Sequence, residues 1–158
     1  MLSEIALIAG ITLLPGLELR ASIPAGIFTT NLHWSTVFLA AVISNILLGA
    51  VVYAVLEKLL IFFQDYRWFK KPYNWYHKRV HNKIHKNVEK YGELGLALFI
   101  GVPLPGSGVY SGSLAAHLLG MNFKKFFLAN IIGVLMAGIV VTLICLFGDG
   151  AWNFFIKV

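Results

Sequence analysis

The most informative absence in this 158-residue sequence is that of charged residues. Only 13% of the residues are charged, whereas 58% are hydrophobic; soluble domains average about 25% charged and roughly 45–50% apolar residues. A soluble domain of this length cannot hide so much apolar surface from water. The composition therefore excludes an ordinary soluble protein and predicts a single membrane domain over residues 1–158.

Cysteine and N-terminal basic residues are also scarce. Cys145 is the single cysteine and lies in an apolar run, which excludes a disulfide framework and indicates a packing role. Glu4 is the only charged side chain before position 18, and a secretory signal requires a basic N-terminal region. We therefore expect no cleaved signal peptide.

Two long segments contain no Asp, Glu, Lys or Arg. One is residues 21–56, and the other is residues 126–148. About 20 apolar residues cross a bilayer, so a spanning helix is predicted from roughly residue 36 to residue 60 and a second over 126–148. The fold class expected from these runs is all-α and integral to the membrane.

Basic residues are concentrated between these two runs. Eight of the 13 Lys and Arg residues lie between Arg67 and Lys90, mixed with Trp and Tyr. This mixture is typical of the water–lipid boundary, so we expect an amphipathic helix within 64–92 that faces the cytoplasm and contacts anionic lipid head groups. A nucleic-acid partner is the usual alternative, and the apolar composition argues against it.

Helix-breaking residues interrupt two further apolar segments, 4–31 and 94–121. The first contains "LPGLELRASIPAG" and the second contains "PLPGSGVYSGS". Each segment fits either a kinked spanning helix or a re-entrant hairpin, and we favour the hairpin. Non-helical backbone at membrane depth is tolerated only where protein buries it or where it lines a wet cavity, so each break is a candidate site.

The two halves of the chain resemble each other in layout. "LPG" occurs at 14–16 and at 104–106, and "SNILLGA" at 44–50 parallels "ANIIGVL" at 129–135. One spanning helix per half reverses the orientation of the next half, which predicts an inverted repeat; the alternative is two unrelated hairpins. Transporters of this kind bind substrate near the midplane. The predicted parts are repeat one at 1–63, a connector at 64–92 and repeat two at 93–158.

Glu18 and Arg20 are the charged residues in the first break. Intramembrane charges cost roughly 2.5–3.5 kcal/mol each on insertion scales and normally face the bundle interior or water. One interpretation is a structural ion pair, which requires a non-helical turn because residues two apart on a helix do not face each other. In the other, Arg20 binds a phosphate or carboxylate and Glu18 carries a coupling proton.

The second break has no charge but is rich in small polar residues. Ser107 is a candidate cap for the following half-helix, whose free amides form an anion site opposite Arg20. Close packing of small residues is the alternative explanation. Asn45 and Asn130 either bond across the helices or line the cavity. The predicted substrate-binding residues are Glu18, Arg20, Pro24, Asn45, Pro105, Gly106, Ser107, Gly108, Tyr110, Ser111, Ser113 and Asn130.

The histidines give weaker indications. His77, His81 and His85 have a spacing that can bind zinc, but surrounding Lys and Arg favour a solvated or lipid-facing surface. His33 and His117 are minor candidates for a proton relay. Because no nucleophile–base pair, metal cluster or nucleotide loop is recognisable in the sequence, we predict no enzyme, cofactor or metal.

Three stretches resemble the small multidrug export protein family, a distant relative of the DedA/VTT membrane proteins. They are "PGLELRASIPAGI", "KYGELGLALFIGVPLPGSGVYSGSLAAHLLGM" and "GVLMAGIVVTL". The resemblance implies paired re-entrant hairpins, an inverted repeat and a plasma-membrane location. In the DedA relatives it implies movement of polyprenyl phosphates or phospholipids, with Glu18 and Arg20 matching the required acid and arginine. The second hairpin here lacks the Arg that DedA proteins commonly carry.

Three functions follow as expectations. The first is a translocase for an amphipathic anion such as a polyprenyl phosphate or phospholipid, with or without proton coupling at Glu18. The second is proton-coupled export of small, multidrug-type compounds, and the third is a membrane scaffold or assembly factor. Two spans and two hairpins form a bundle only a few helices across, so a homodimer or larger homo-oligomer in the plasma membrane is expected. No nucleic-acid partner is expected.

Overall fold

The computed structural model describes residues 1–64, 85–102 and 107–156, and every regular element in these ranges is an α-helix. The described ranges thus confirm the all-helical prediction, while most of the basic helix predicted within 64–92 lies outside them. The helices are α1 Leu2–Thr12, α2 Glu18–Thr29, α3 Trp34–Gln64, α4 His85–Gly101, α5 Val109–Leu118 and α6 Phe123–Ile156.

Helices α3 and α6 are the two candidate membrane spans among the described residues. Trp34–Leu59 and Phe123–Gly148 each contain 26 residues, with mean hydropathies of 2.3 and 2.7. At 1.5 Å per residue each is about 39 Å long, more than the roughly 30 Å of hydrocarbon in a bilayer. Both segments were predicted from their lack of charge, with boundaries that differ by a few residues.

The two long helices run antiparallel where they cross. A Cβ added to Gly49 would overlap the side chain of Asn130, and one added to Gly138 would lie 2.9 Å from Cγ2 of Val42. Val42 on α3 therefore lies next to Gly138 on α6, and Gly49, later on α3, lies next to Asn130, which is earlier on α6. Small residues at the crossing allow the two backbones to approach closely.

Helices α1 and α2 pack on each other and on α3, and we call them hairpin 1. A Cβ on Gly26 would overlap Val37 and lie 3.1 Å from Cδ1 of Ile8. The backbone amide of Asn31 donates to Oε1 of Glu4 at 3.4 Å. The open end of hairpin 1 therefore lies beside the start of α3.

Helices α4 and α5 pack on each other and on α6, and we call them hairpin 2. Its open end lies beside the far end of α3, where Nε2 of His117 is 3.0 Å from the carbonyl oxygen of Tyr53. The Tyr53 ring stacks on His117 with centroids 4.1 Å apart, and its hydroxyl donates to the Met121 carbonyl at 2.6 Å. The two hairpins thus extend from opposite ends of the bundle toward each other.

Helix α2 also contacts α6, and α5 also contacts α3. Each hairpin therefore crosses to the long helix that follows the other hairpin. These crossed contacts bury the core side chains. Among them are Leu19, Ile23, Ile100 and Phe126, each at most 2% exposed. The crossed contacts also bring together the two turns at the inner ends of the hairpins.

Gly133 is expected to be required for the packing of α4 on α6. An added Cβ would lie 2.7 Å from the carbonyl oxygen of Ala97 and 2.7 Å from Cβ of Ile100, and neither atom belongs to a flexible side-chain end. We expect Gly133→Ala to lower the free energy of unfolding by about 1–3 kcal/mol through overpacking. Thermal unfolding of the purified protein in detergent measures this.

Gly95 on α4 is the matched control, because nothing lies within 4 Å of its added Cβ. Gly95→Ala should leave stability unchanged or raise it by about 0.5–1 kcal/mol, since alanine is the better helix former. Equal stability of the Gly133→Ala protein and the wild type would contradict the close approach of α4 and α6.

Candidate functional site

The turn of hairpin 1 occupies residues 13–17 and places Glu18 at the start of α2. Gly16 has a φ of +83° and Glu18 has a φ of +50°. A non-glycine residue in this left-handed region stores about 1–3 kcal/mol of strain and persists only where the surroundings hold it. The turn points the Glu18 side chain inward, so that the residue is only 5% exposed.

The carboxylate of Glu18 binds the N-terminus of α5, on the other hairpin. The backbone amide of Val109 donates to both carboxylate oxygens, at 3.0 and 3.1 Å, and the amide of Tyr110 donates to Oε1 at 3.4 Å. The first amides of a helix have no partner within the helix, and the helix dipole there favours negative charge. Glu18 therefore caps a helix that begins 91 residues later in the chain.

The contact between the Glu18 carboxylate and the start of α5 depends on Gly108, which precedes α5. A Cβ at this position would lie 2.6 Å from both oxygens of the Glu18 carboxylate. The φ of Gly108 is 174°, an extended conformation that any residue adopts. The position therefore requires glycine for space and not for backbone freedom.

Arg20 makes a second connection between the two hairpins. Its Nη2 donates to Oγ of Ser107 at 3.0 Å and to the carbonyl oxygen of Val102 at 3.2 Å. The Ser107 hydroxyl in turn donates to the Val102 carbonyl at 2.6 Å. Because Glu18 binds the amides of α5, Glu18 and Arg20 hold different parts of hairpin 2.

A third connection runs from hairpin 2 back to hairpin 1. The hydroxyl of Tyr110 donates to the carbonyl oxygen of Leu13 at 2.6 Å. Together these contacts enclose a half-open pocket of about 150 Å³, lined by Gly16, Glu18, Arg20, Ser107, Gly108, Tyr110 and Ser111. The arrangement combines a buried carboxylate, a guanidinium and three hydroxyl groups in a chain that is 58% hydrophobic.

Six of the predicted binding residues line this pocket, and others lie elsewhere. Ser113 is fully buried and its hydroxyl donates to the Val109 carbonyl within α5 at 2.7 Å, while Pro24 lies inside α2. Pro105 and Gly106 lie outside the described residues. Gly16 was not predicted as a lining residue, although the "LPG" motif gave the signal that could have identified it.

The cap at the start of α5 differs from the sequence expectation. Gly108 occupies the N-cap position, and Ser107 bonds to the Val102 carbonyl instead. The predicted anion site required free amides, but those of Val109 and Tyr110 bind the carboxylate of Glu18. The sequence did not indicate that a side chain of the protein itself, Glu18, is the anion at these amides.

The two asparagines lie at the crossing of α3 and α6 and do not line the pocket. Nδ2 of Asn130 donates to the Ile46 carbonyl at 3.3 Å, so this residue bonds across the helices, which was one of the two predicted alternatives. Asn45 and Asn130 are at most 1% exposed. Within the described residues, Oδ1 of each has no hydrogen-bond partner.

The histidines are distributed over both ends of the bundle. His117 contacts Tyr53 as described above, and Nδ1 of His33 lies 2.8 Å from Oγ of Ser35 at the start of α3. His77 and His81, two of the three histidines whose spacing can bind zinc, lie outside the described residues. In the part of the chain that is described, no group of three or more His, Cys, Asp or Glu side chains is placed to hold a metal.

Comparison with known protein families matches residues 18–140 to the family described as "Putative small multi-drug export protein". No curated protein and no solved structure matches the chain. The match begins at Glu18 and covers six of the seven pocket-lining residues and α6 as far as residue 140, which is well over half of the 158 residues. The chain therefore belongs to the small multi-drug export protein family.

Proposed function

We propose that the protein is a membrane transporter that exports small molecules through the pocket between the two hairpin turns. The observation that carries the proposal is the capping of α5 by a buried carboxylate from the other hairpin, beside Arg20 and a pocket. Charges inside a membrane domain mark substrate or proton pathways in general. The family match supports export as the direction of transport.

The lengths of the short helices support a re-entrant arrangement of both hairpins. Helix α1 has 11 residues, about 16 Å, and the apolar part of α4, Gly92–Gly101, is about 15 Å long at 1.5 Å per residue. Neither spans the roughly 30 Å of hydrocarbon alone, but their sum does. Hairpins that enter from opposite faces would therefore meet near the midplane, as in transporters with broken helices.

The packing order supports an inverted repeat in this transporter. Helices α1 and α2 pack on α3, and helices α4 and α5 pack on α6 in the same order. The antiparallel crossing of α3 and α6 gives the two units opposite directions. We propose that repeat one and repeat two rock against each other about the α3–α6 crossing, exposing the pocket to alternate sides.

Glu18 is the proposed coupling residue. As a carboxylate it joins the two hairpin turns through charge-assisted hydrogen bonds, and protonation removes the charge on which those bonds depend. The titratable groups that face it are Arg20 on α2 and Tyr110 on α5. Protonation would loosen the turns and open the pocket, and release of the proton on the other side would close it.

The translocase for polyprenyl phosphates or phospholipids is the second candidate, and Arg20 is the observation that favours it. Its guanidinium lines the pocket and suits a phosphate group. The amides of α5 do not support this candidate while Glu18 occupies them. We therefore rank it below export of small, multidrug-type compounds.

Proteoliposomes test the two candidates with Arg20→Ala. Export of a fluorescent lipophilic cation driven by a pH gradient is expected in the wild type. It should persist in Arg20→Ala with a loss of about tenfold, or about 1.4 kcal/mol, because the Glu18 and Tyr110 connections remain. A fluorescent polyprenyl phosphate in the same vesicles gives the contrast. Movement of that lipid, abolished by Arg20→Ala, would overturn the export proposal in favour of the translocase.

Absence of movement for both compounds would overturn transport altogether and favour a scaffold or assembly role.

We also propose a multi-pass plasma-membrane location in which the basic segment 64–92 faces the cytoplasm and contacts anionic lipid head groups, because Lys and Arg are enriched on that side. Labelling of a single cysteine introduced there, in intact and in opened cells, tests the orientation.

A further inference from the structure

Asn45 on α3 carries a buried hydrogen-bond acceptor that is not used in this structure. The residue is 1% exposed, and its Oδ1 has no hydrogen-bond partner among the residues that the structure describes. Buried polar atoms in folded proteins nearly always have a partner, so an exception requires an explanation. A donor that reaches this oxygen in another state of the protein would provide one.

The packing of α2 on α3 places Asn45 level with Glu18. A Cβ on Gly26 would overlap the side chain of Val37, and the two helices run antiparallel because only residues 30–33 connect them. Glu18 lies eight residues before Gly26, and Asn45 lies eight residues after Val37. Equal counts give equal rises of about 12 Å along the two helices, so Glu18 and Asn45 lie at the same depth in the bundle.

The packing of α5 on α3 leads to the same residue independently. Helix α5 begins at the Glu18 carboxylate and ends beside the far end of α3, where Nε2 of His117 lies 3.0 Å from the Tyr53 carbonyl oxygen. It therefore runs in the same direction as α3. Val109 lies eight residues before His117, and Asn45 lies eight residues before Tyr53. Both counts thus place Asn45 level with the bond between Glu18 and Val109.

The chemistry of the two side chains is complementary in one protonation state only. Glu18 lines the pocket, whereas Asn45 does not and lies in the protein interior at the same depth. An ionised carboxylate has only acceptor atoms, so it cannot bond to Oδ1 of Asn45, but a protonated carboxyl group has one O–H donor. In this structure the carboxylate accepts from the amides of Val109 and Tyr110, and the Asn45 oxygen is left over.

We propose that Asn45 accepts a hydrogen bond from the carboxyl group of Glu18 when that group is protonated. The inference rests on the coupling role proposed above for Glu18. The proton enters from the pocket and stays on the carboxyl oxygen, and Asn45 only accepts the hydrogen bond. The bonds from Val109 and Tyr110 weaken once the charge is gone, so the carboxyl group exchanges the start of α5 for Asn45. Asn45 thereby stabilises the protonated form in which the hairpin turns separate.

The charged groups around Glu18 act in the opposite direction. Arg20 on α2 and Tyr110 on α5 are the titratable groups that face it, and the positive charge of Arg20 favours the ionised carboxylate. The other charged residues of the packed helices, within the described ranges, lie toward the helix ends: Glu4 on α1, Glu57 and Lys58 on α3, Glu93 on α4, and Lys124 and Lys125 on α6. Asn45 is therefore the neighbour that favours the neutral acid.

Infrared difference spectroscopy of the full chain during an acid titration tests the inference, because a protonated carboxyl group has a carbonyl band that a carboxylate lacks. The band of interest is the one that Glu18→Gln removes. Asn45→Leu keeps a similar volume without an acceptor, so the midpoint of this band should move about 0.5–1 pH unit lower, the equivalent of one lost hydrogen bond to the protonated form. Asn45→Ala should give the same shift if leucine disturbs the packing.

Thr142→Val is the matched control, because Oγ1 of Thr142 is also buried and has no partner within the described residues. Thr142 lies one turn beyond Gly138 on α6, on the side of the crossing away from Asn130. The control should therefore titrate as the wild type does. An unchanged midpoint in both Asn45 variants, or an equal shift in Thr142→Val, would overturn the role of Asn45 and leave coupling at Glu18 intact.

Failure of the proposed function gives different results. If no band depends on Glu18 at any pH, its carboxylate does not take up a proton, and the coupling role is overturned together with the role of Asn45. If the band titrates and shifts in the Asn45 variants but the protein exports nothing, the hydrogen bond is supported and only the proposed export is contradicted.

Discussion

Replacing Glu18 with leucine is expected to abolish export and to lower the free energy of unfolding by about 2–4 kcal/mol. Leucine leaves the amides of Val109 and Tyr110 without their acceptor in a buried turn, and hydrogen bonds to charged groups contribute about 1.5–3 kcal/mol each. Among the residues that the structure describes, the hydrogen bonds of Arg20 and Tyr110 then remain as connections between the hairpins. Thermal unfolding in detergent and cation export from proteoliposomes measure the two effects.

Glu18→Gln separates the structural role of this side chain from its coupling role. Glutamine keeps the shape and one acceptor oxygen, so the loss of stability should be smaller, about 1 kcal/mol, while export driven by a pH gradient should still disappear. Glu57→Gln, at an exposed position near the end of α3, controls for loss of a carboxylate as such. Unchanged stability of Glu18→Leu would contradict the capping role, and normal pH-driven export by Glu18→Gln would contradict proton coupling.

The spanning helices could be predicted from the sequence because their signal is local. A segment of about 20 apolar residues without helix breakers crosses a bilayer as an α-helix, because its backbone groups are then bonded within the segment. The prediction for roughly 36–60 agrees with Trp34–Leu59, and 126–148 agrees with Phe123–Gly148. Residues around "LPG" at 14–16 also gave a local signal, since Gly16 adopts the positive φ that a turn requires.

The partner of Glu18 could not be predicted, because it is defined by backbone atoms and not by a residue type. Any helix N-terminus offers free amides, and nothing in "GSGVYSG" identifies these amides as the donors to a carboxylate 91 residues earlier. The sequence therefore suggested either an ion pair with Arg20 or an external anion at these amides. In the structure Glu18 supplies the anion, and Arg20 binds Ser107 and Val102.

Gly108 was among the predicted substrate-binding residues, but the need for a glycine beside Glu18 gave no recognisable signal, for the same reason. Its extended backbone does not require glycine, and its neighbours in the sequence are also small. Its importance arises only when the Glu18 carboxylate reaches the start of α5, which is a contact between distant parts of the chain. A substitution at Gly108 therefore tests that contact while the Glu18 side chain itself is unchanged.

Gly108→Ala is expected to lower the free energy of unfolding by about 2–3 kcal/mol and to reduce export severely. The added methyl group would lie 2.6 Å from both carboxylate oxygens, so either the carboxylate or α5 must move, and overpacking of this kind costs about 1–3 kcal/mol. The extended φ of 174° suits alanine, which leaves the steric conflict as the cause. Gly10→Ala, where nothing lies within 4 Å of the added Cβ, is the control and should unfold as the wild type does.

A double-mutant cycle with Glu18→Leu identifies the group that meets the methyl at position 108. Once the carboxylate is removed, most of the conflict disappears, because leucine is one atom shorter and is not held in place by the amides of Val109 and Tyr110. Gly108→Ala should then cost less than about 0.5 kcal/mol in the Glu18→Leu background, a coupling well above the 0.3–0.5 kcal/mol seen for independent sites. If Gly108→Ala lowers the free energy of unfolding as much in that background as in the wild type, Gly108 accommodates a group other than Glu18. That result would contradict the contact between the Glu18 carboxylate and the start of α5.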